Sequence, residues 1–358
     1  SAGEWGLKRG CAVALTDAGK GVGLYDPSDD TVNKIDGTRA TRSAAGALSF
    51  FAASLSDSAR SLFNTAFPNR LALKHAHSQM NPEKDWGSDT LTSIRYALYV
   101  LNEQYASAVP GGTGKAVRFD AGNTLVIAGS VSNGGAAVLR AAELDTAGLI
   151  DGVVASEPSA QPSRTTGYGV QFGGSDIPVK GLPLSDYFTV ANLYQPCAAL
   201  APTAVMTEST IYNYMTLTGM NVRASNRCAA LAAKGLVSGT TTSEQAADAL
   251  QKLRDYGFSA DHDTMHNAHY GLGNAAIIGM MYTNAFGRFS VIDNLCGMSA
   301  AQVDGTGSVV PVNPTVKAQS FASGNGTVNG APASVVYNTS VGGAKSWAFG
   351  VSPSSGTA

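Results

Sequence analysis

The chain of 358 residues has few charged residues and no long apolar run. Only 14% of its residues are charged and its formal net charge is −2, so the composition provides no strongly basic surface for nucleic acid. Every apolar run is shorter than the roughly 20 residues that a membrane-spanning helix requires. We therefore expect no nucleic-acid partner, no membrane span, and a substrate that is small or neutral.

Cysteine and histidine are also scarce, with four and five residues. The cysteines Cys11, Cys197, Cys228 and Cys296 show no CxxC or other metal-ligand spacing. Cys11 lies in an apolar, strand-like run, where we expect it to be buried. Cys197 and Cys228 share one polar region, and the sequence leaves open whether they form a disulfide, as in an exported protein, or two free thiols.

Small residues are abundant instead. The 41 glycines, together with many serines, threonines and alanines, give a composition typical of exported bacterial proteins. The chain begins at Ser1 without a methionine, which is compatible with the removal of a targeting segment. These features favour a secreted or periplasmic location. With 44% hydrophobic residues, the chain also has enough apolar side chains for a sizeable core.

The most informative segment is 125–135, which reads LVIAGSVSNGG. Residues 125–127 suit a buried parallel strand, and residues 136–144 carry apolar side chains at helical spacing. The pattern therefore predicts a strand, a sharp turn and a helix, in that order.

A nucleophilic serine occupies such a turn in α/β-hydrolases, where the motif is GxSxG and the tight backbone presents the hydroxyl beside the helix N-terminus. Here Ser130 replaces the first glycine, and Ser132 is the predicted nucleophile. The backbone N–H of Asn133 is the predicted first donor to the oxyanion. The alternative interpretation is an ordinary glycine-rich turn.

The surrounding pattern predicts an α/β fold, with a doubly wound parallel sheet of the α/β-hydrolase type. A buried strand is expected at 10–17 and another at 150–158. Helices are expected near 44–55, 59–67 and 89–106, and Ser88 is the expected cap of the last.

Three regions are expected along the chain. Residues 1–158 would form a partial hydrolase core that contains the serine turn, and residues 159–300 a mainly helical lid. One lid helix would begin near Thr242, with Gln245 completing a capping box, and another would include the sequence NAAIIGMMYTNAF. Residues 301–358 would form a Gly/Ser-rich extension.

A serine hydroxyl needs a histidine to accept its proton, and in this fold the histidine and its orienting carboxylate follow the serine in sequence. His75 and His77 precede Ser132, so packing or hydrogen bonding near the turn is their expected role. Glu157 ends the strand after the turn, where it is either the orienting acid or a hydrogen-bonding group at the strand end.

The remaining histidines follow the serine within DHDTMHNAH, at spacings of four and three residues. The pattern leaves three interpretations open: a catalytic base, metal ligands together with neighbouring aspartates, and a polar helix end near solvent. The residues concerned are His262, His266, His269, Asp261 and Asp263.

The second oxyanion donor normally lies on a glycine-containing loop after a strand that would precede Gly10, and the chain has no room for that strand. The strands that usually follow the serine and carry the acid and the histidine are not recognised in the chain either. We therefore expect the chain to be a fragment from the middle of a longer hydrolase.

Four long stretches carry a resemblance to a known family. They read GEWGLKRGCAVALTD, KHAHSQMNPEKDWG, VIAGSVSNGGAAVLRAAELDT and IDGVVASEP. In this order they resemble the bacterial D-3-hydroxybutyrate oligomer hydrolases, and more distantly the tannase and feruloyl esterase group. The resemblance implies an exported serine carboxylesterase in polyhydroxybutyrate degradation, with Ser132 as the nucleophile.

The resemblance further implies an acyl-enzyme mechanism that uses no metal and no cofactor. The expected partners are a small oligoester substrate and, if the protein is cleaved, its remaining segments. Arg164, Arg223 and Arg227 are candidates for holding a substrate carboxylate by charge alone, and we expect them to be solvated surface residues instead. An esterase for aromatic substrates and an inactive hydrolase fold that only binds ligands are the alternative functions.

Overall fold

A computed structural model describes residues 2–18, 23–160, 166–177, 182, 184–204, 213–217, 220–271, 274–304, 308–319 and 334–338. The chain divides into two compact units. The first, the serine unit, comprises Ser1–Gly19 and Pro82–Pro162, and the second, the sheet unit, comprises Lys20–Asn81 and Ser163–Ala358. The three-region division at residues 158 and 300 stays a prediction.

The helices are α1 (Ala2–Lys8), α2 (Arg42–Ala45), α3 (Asp57–Ala66), α4 (Lys74–His77), α5 (Trp86–Tyr105), α6 (Asn133–Leu144), α7 (Leu184–Ala198), α8 (Tyr214–Leu217), α9 (Asn221–Ala233), α10 (Thr242–Asp255), α11 (Met265–Gly271), α12 (Asn274–Gly287) and α13 (Pro314–Gln319). The strands are β1 (Leu24–Asp26), β2 (Thr31–Asn33), β3 (Arg39–Thr41), β4 (Arg70–Leu73), β5 (Ile127–Val131), β6 (Gly152–Ser156), β7 (Gln171–Phe172), β8 (Ser175–Asp176), β9 (Met298–Val303), β10 (Val309–Val310) and β11 (Ser334–Tyr337).

In the serine unit, β5 and β6 pair in parallel and α6 connects them, in register from Ile127 opposite Gly152 to Val131 opposite Ser156. Helix α5 packs on α6, and a small core forms around Leu91, Ile94, Ala141 and Leu149. The predicted helix at 89–106 is confirmed as α5. Its expected cap is wrong, because the Ser88 hydroxyl donates to the carbonyl of Asp85 and no side chain caps the first turn.

The prediction of a doubly wound parallel sheet is wrong. Among the described residues, parallel pairing is confined to β5 and β6, and the large sheet of the sheet unit is antiparallel, in the order β10-β9-β4-β1-β2-β3 with β11 also paired to β9. Short turns explain the difference: Asp30 and Gly37 adopt positive φ in the connections between β1, β2 and β3. Such tight connections join antiparallel neighbours, whereas a parallel pair needs a crossover of a dozen residues or more.

Other expectations fail because an apolar run does not by itself determine a helix, a strand or the burial of either. The segment 10–17 has no regular structure, and Cys11 in it is exposed. Of the predicted helix at 44–55, only the end of α2 and a single 3-10 turn form. Strand β5 exists, but Leu125 before it and Ile127 within it are 76% and 55% exposed, so the strand is not buried as expected.

The antiparallel sheet carries an apolar cluster on each face. Leu24, Leu71 and Leu73 pack with Met280 and Met281 of α12 on one face, and Tyr25 and Val32 pack with the phenylalanines of α3 and the preceding loop on the other. This division follows the alternation of side chains along a strand. Helix α12 confirms the helix predicted through NAAIIGMMYTNAF, and α3 confirms the one near 59–67.

Helices α7, α9 and α10 form a third apolar cluster in the sheet unit. A disulfide between Cys197 of α7 and Cys228 of α9 lies within it, which resolves the alternative that the sequence left open. The capping box of α10 is built by Thr241 and Glu244, one residue before the predicted pair. Within the described part of the chain, no helix combines the length and apolar character that crossing a membrane requires.

Candidate active site

The turn between β5 and α6 places Ser132 in an unusual backbone conformation. Its φ is +59° and its ψ is −122°, a region that residues with a Cβ seldom occupy. Such strain costs on the order of 1–3 kcal/mol and persists only where the surrounding structure enforces it. The side chain is exposed, so this conformation presents the Ser132 hydroxyl to solvent at the N-terminal end of α6.

Three main-chain hydrogen bonds hold the turn. The Ser132 N–H donates to the carbonyl of Ser156 at 3.0 Å, which joins the turn to the end of β6. The Ser132 carbonyl accepts from the N–H of Ala136 at 3.2 Å, in the first turn of α6, and from the N–H of Ser159 at 3.1 Å. The serine is thus fixed by the end of β6, by the first turn of α6 and by the segment that follows β6.

Close packing explains the glycines of the motif. A Cβ added at Gly134 would overlap the Ser130 Oγ and lie 2.9 Å from the Ser130 Cβ. A Cβ at Gly135 would lie 3.0 Å from the Pro158 Cα and 3.2 Å from the Ser156 carbonyl oxygen. Strand and helix therefore meet at a distance that only small residues allow, and Ser130 is accommodated because Gly134 opposite it has no side chain.

Asn133 is held by both ends of its side chain. Its Nδ2 donates to Glu83 Oε1 at 3.2 Å, and its Oδ1 accepts from the Ser159 hydroxyl at 3.1 Å. Glu83 lies on the 3-10 turn Pro82–Asp85 that leads into α5, and Ser159 lies in the segment after β6. Neither residue was predicted to be part of the site. Glu83 lies within the stretch KHAHSQMNPEKDWG and Ser159 directly follows IDGVVASEP, but no spacing pattern distinguishes them there.

Glu157, the candidate orienting acid, directly follows β6. It adopts a positive φ of +46° and is exposed to solvent. Its role as an acid or as a strand-end group stays a prediction.

All five histidines of the sequence belong to the sheet unit, and Ser132 belongs to the serine unit. His75 and His77 lie on α4 and are buried. His77 Nδ1 accepts from the N–H of Leu73 at 2.9 Å, and burial lowers the pKa of His77 to about 4. The His75 ring packs edge-on against Tyr282, with the ring centroids 5.0 Å apart. Both residues therefore pack within the sheet unit.

The histidines of DHDTMHNAH have separate environments. His262 Nδ1 lies 2.9 Å from the Ser259 hydroxyl, and His266 Nδ1 lies 3.1 Å from Gln195 Nε2. His266 is buried, which lowers its pKa to about 4, and burial also lowers the pKa of His269. The described residues contain no group of three or more His, Cys, Asp or Glu placed to hold a metal ion.

Two of the three candidate arginines lie among the described residues, and Arg164 lies outside them. Arg223 donates to the carbonyl of Asp304. Arg227 is 1% exposed and donates to the carbonyls of Asn192 at 2.7 Å and Leu193 at 3.2 Å. Burial lowers the pKa of Arg227 to about 10. The expectation of a solvated surface position is wrong for Arg227, which links α9 to α7.

Comparisons with known proteins agree across the chain. The family model described as 3HB-oligomer hydrolase (3HBOH) matches residues 1–358. A D-(-)-3-hydroxybutyrate oligomer hydrolase of Polaromonas naphthalenivorans is 47% identical over 348 residues, covering 96% of this chain and 48% of the relative. The protein of that name from Ralstonia pickettii is 45% identical over 344 residues, covering 96% and 46%. That from Paracidovorax citrulli is 48% identical over 326 residues, covering 90% and 46%.

The chain thus spans about half the length of the curated relatives it matches. No solved structure matches the chain.

Proposed function

Because the chain belongs to the 3HB-oligomer hydrolase family, we propose that it carries the nucleophile of a serine carboxylesterase. The proposed substrates are oligomers and dimers of 3-hydroxybutyrate, which the whole protein hydrolyses to monomers. Two observations support the proposal. The relatives carry the name D-(-)-3-hydroxybutyrate oligomer hydrolase, and Ser132 is exposed in the turn between a strand and a helix.

The observation that carries the proposal is the conformation of Ser132. A positive φ at a serine between a parallel strand and a helix is costly, and three main-chain hydrogen bonds enforce it. The same turn in serine hydrolases exposes the nucleophile above the sheet. An ordinary glycine-rich turn would place a glycine at this position and avoid the cost.

The proposed reaction is acyl transfer in two steps. Ser132 Oγ attacks the ester carbonyl carbon as its proton passes to a base, and the carbonyl oxygen becomes an oxyanion near the N–H of Asn133. The ester bond then breaks, the alcohol leaves with a proton, and the acyl group remains on Ser132. Water attacks this acyl-enzyme and releases the acid. No cofactor takes part in these steps.

The activating base is proposed to come from outside the serine unit, whose sequence contains no histidine. The relatives are about twice as long as this chain, and residues of the remaining length are the proposed source of the histidine and its acid. His266 is a weaker candidate, because it is buried against Gln195 within the sheet unit.

The proposed location is the periplasm or the cell exterior. The disulfide between Cys197 and Cys228 supports it, because disulfides persist in oxidising compartments and are rare in the cytosol.

The test compares ester substrates on the full-length protein. We expect hydrolysis of 3-hydroxybutyrate trimer to exceed that of galloyl and feruloyl esters, and Ser132→Ala to lower kcat by about 1,000-fold or more, because the covalent step is lost. A preference for the aromatic esters would contradict the proposed substrate. Hydrolysis that persists in Ser132→Ala would contradict the assignment of Ser132 as the nucleophile. A full-length protein that hydrolyses none of these esters would contradict the proposed activity and favour a protein that only binds ligands.

A further inference from the structure

We propose that Glu83 and Ser159 are positioning residues, which fix the Ser132–Asn133 peptide so that the Asn133 N–H faces the developing oxyanion. This assignment rests on the proposed function and goes beyond it, because it identifies two residues outside the nucleophile turn that act through Asn133.

The orientation of the peptide follows from its hydrogen bonds. The Ser132 carbonyl accepts from the N–H groups of Ala136 and Ser159, at 3.2 and 3.1 Å, and so points along α6. The peptide bond is trans, so the N–H of Asn133 points in the opposite direction, out of the N-terminal end of the helix. An oxyanion bound at that end is stabilised by this donor and by the positive end of the helix dipole.

Two elements hold Asn133 in this position through its side chain. Glu83 accepts from Nδ2, and the Ser159 hydroxyl donates to Oδ1. Ser159 acts twice, because its own N–H also holds the Ser132 carbonyl. Loss of either side-chain bond removes one of the contacts that hold the Asn133 amide, and the peptide loses part of its constraint.

The turn that carries Glu83 is itself firmly placed. It leads directly into α5, and α5 lies so close to α6 that a Cβ at Gly87 would sit 2.7 Å from Arg140 Cγ. Packing between α5 and α6 thus supports the turn that carries Glu83. A hydrogen bond to a carboxylate is stronger than one to a neutral acceptor, and glutamine at position 83 would keep an acceptor oxygen while removing the charge.

The experiment measures kcat and KM of the full-length protein on 3-hydroxybutyrate trimer, with active sites counted by fluorophosphonate labelling. We expect Glu83→Ala and Ser159→Ala each to lower kcat per labelled site by about tenfold, with KM changed by less than about twofold, since a misplaced donor weakens only the transition state. Inhibition by an alkyl boronic acid, whose adduct is tetrahedral, should weaken by the same factor. Glu83→Gln should retain most of the activity.

The matched control is Glu143→Ala, which removes an exposed carboxylate of α6 paired with Arg140 and should change neither value. Normal kcat and boronic acid affinity in both Glu83→Ala and Ser159→Ala would overturn the assignment. It would also be overturned if Glu83→Ala and Glu83→Gln had equally lowered melting temperatures and this loss of stability accounted for the lower activity. If the unaltered protein is neither labelled nor active, the proposed function fails first, and this assignment fails with it.

Discussion

Single atoms decide whether the serine turn can form. Ser130 Oγ lies where the Cβ of a side chain at position 134 would need to be, and Pro158 closes the space above Gly135. The sequence departure from GxSxG at Ser130 is therefore tolerated on one condition, which is a glycine at position 134.

This condition gives a prediction for Gly134→Ala. The added methyl group overlaps Ser130, so we expect the full-length protein to lose about 1–3 kcal/mol of unfolding free energy and most of its activity. Ser130→Gly removes the clashing atoms, and the double variant Ser130→Gly/Gly134→Ala should recover most of the loss. Denaturant unfolding and ester hydrolysis of the two single variants and the double variant measure this coupling.

Gly129→Ala is the matched control, because a Cβ there would lie 3.8 Å from the Val154 carbonyl oxygen, an ordinary contact. Equal damage by Gly129→Ala and Gly134→Ala, or no recovery in the double variant, would contradict the packing described for this turn.

At the scale of helices and strands, the sequence predicts amphipathic helices well and the sheet poorly. Helices α3 and α5 have the apolar spacing of an amphipathic helix and form where expected. Helix α12, which is apolar around most of its surface, also forms where expected. The antiparallel sheet consists of strands of two to six residues, too short for an alternating pattern to be recognised. Their pairing depends on turns and on partners distant in sequence, such as β4 with β9.

The disulfide between α7 and α9 gives a testable prediction at the scale of helices and strands. It joins residues 31 positions apart, and its loss should lower the unfolding free energy by about 2–4 kcal/mol, because the unfolded chain gains freedom. We expect Cys197→Ala/Cys228→Ala to have a lower melting temperature than the unaltered protein, and a reducing agent to have no further effect on that variant.

Cys11→Ser is the matched control, since Cys11 is an exposed free cysteine in the other unit. A melting temperature of Cys197→Ala/Cys228→Ala equal to that of Cys11→Ser would show that the disulfide does not stabilise the protein.

At the scale of the whole molecule, the sequence predicts a nucleophile and leaves its base unidentified. A local motif is enough to predict Ser132, because strand, turn and helix are contiguous. A triad depends on residues brought together by the complete fold, and the serine unit contains no histidine at all. The sequence does not predict the contacts of Glu83 and Ser159 with Asn133 either. Both residues are distant from Asn133 in sequence, by about 50 and about 25 residues, and only the fold brings them together.

The buried histidines make stability depend on pH. The pKa of His77 is about 4 in the folded protein, below the ordinary value of 6.5, because burial disfavours the charged ring. Between pH 4 and 6.5, His77 binds a proton in the unfolded chain and does not bind one in the folded protein. Stability from this group is therefore complete above about pH 6.5, falls as the pH decreases to about 4, and changes no further below that.

His77→Asn tests this dependence. Asparagine offers Oδ1 in place of Nδ1 to accept from the Leu73 N–H, and it does not titrate. We expect the loss of unfolding free energy between pH 7 and 4 to be smaller in the variant, by on the order of 3 kcal/mol. An unfolding curve measured at each pH gives the comparison. The same pH dependence in both proteins would contradict the burial of a neutral His77.

The central claim is that Ser132 is the nucleophile of an ester hydrolase, and covalent labelling of the full-length protein tests it most directly. After reaction with a fluorophosphonate, we predict one adduct per active protein on the peptide that contains Ser132, complete loss of esterase activity, and no adduct in Ser132→Ala. Full esterase activity without modification of Ser132, or an inactivating adduct on a different serine, would contradict it.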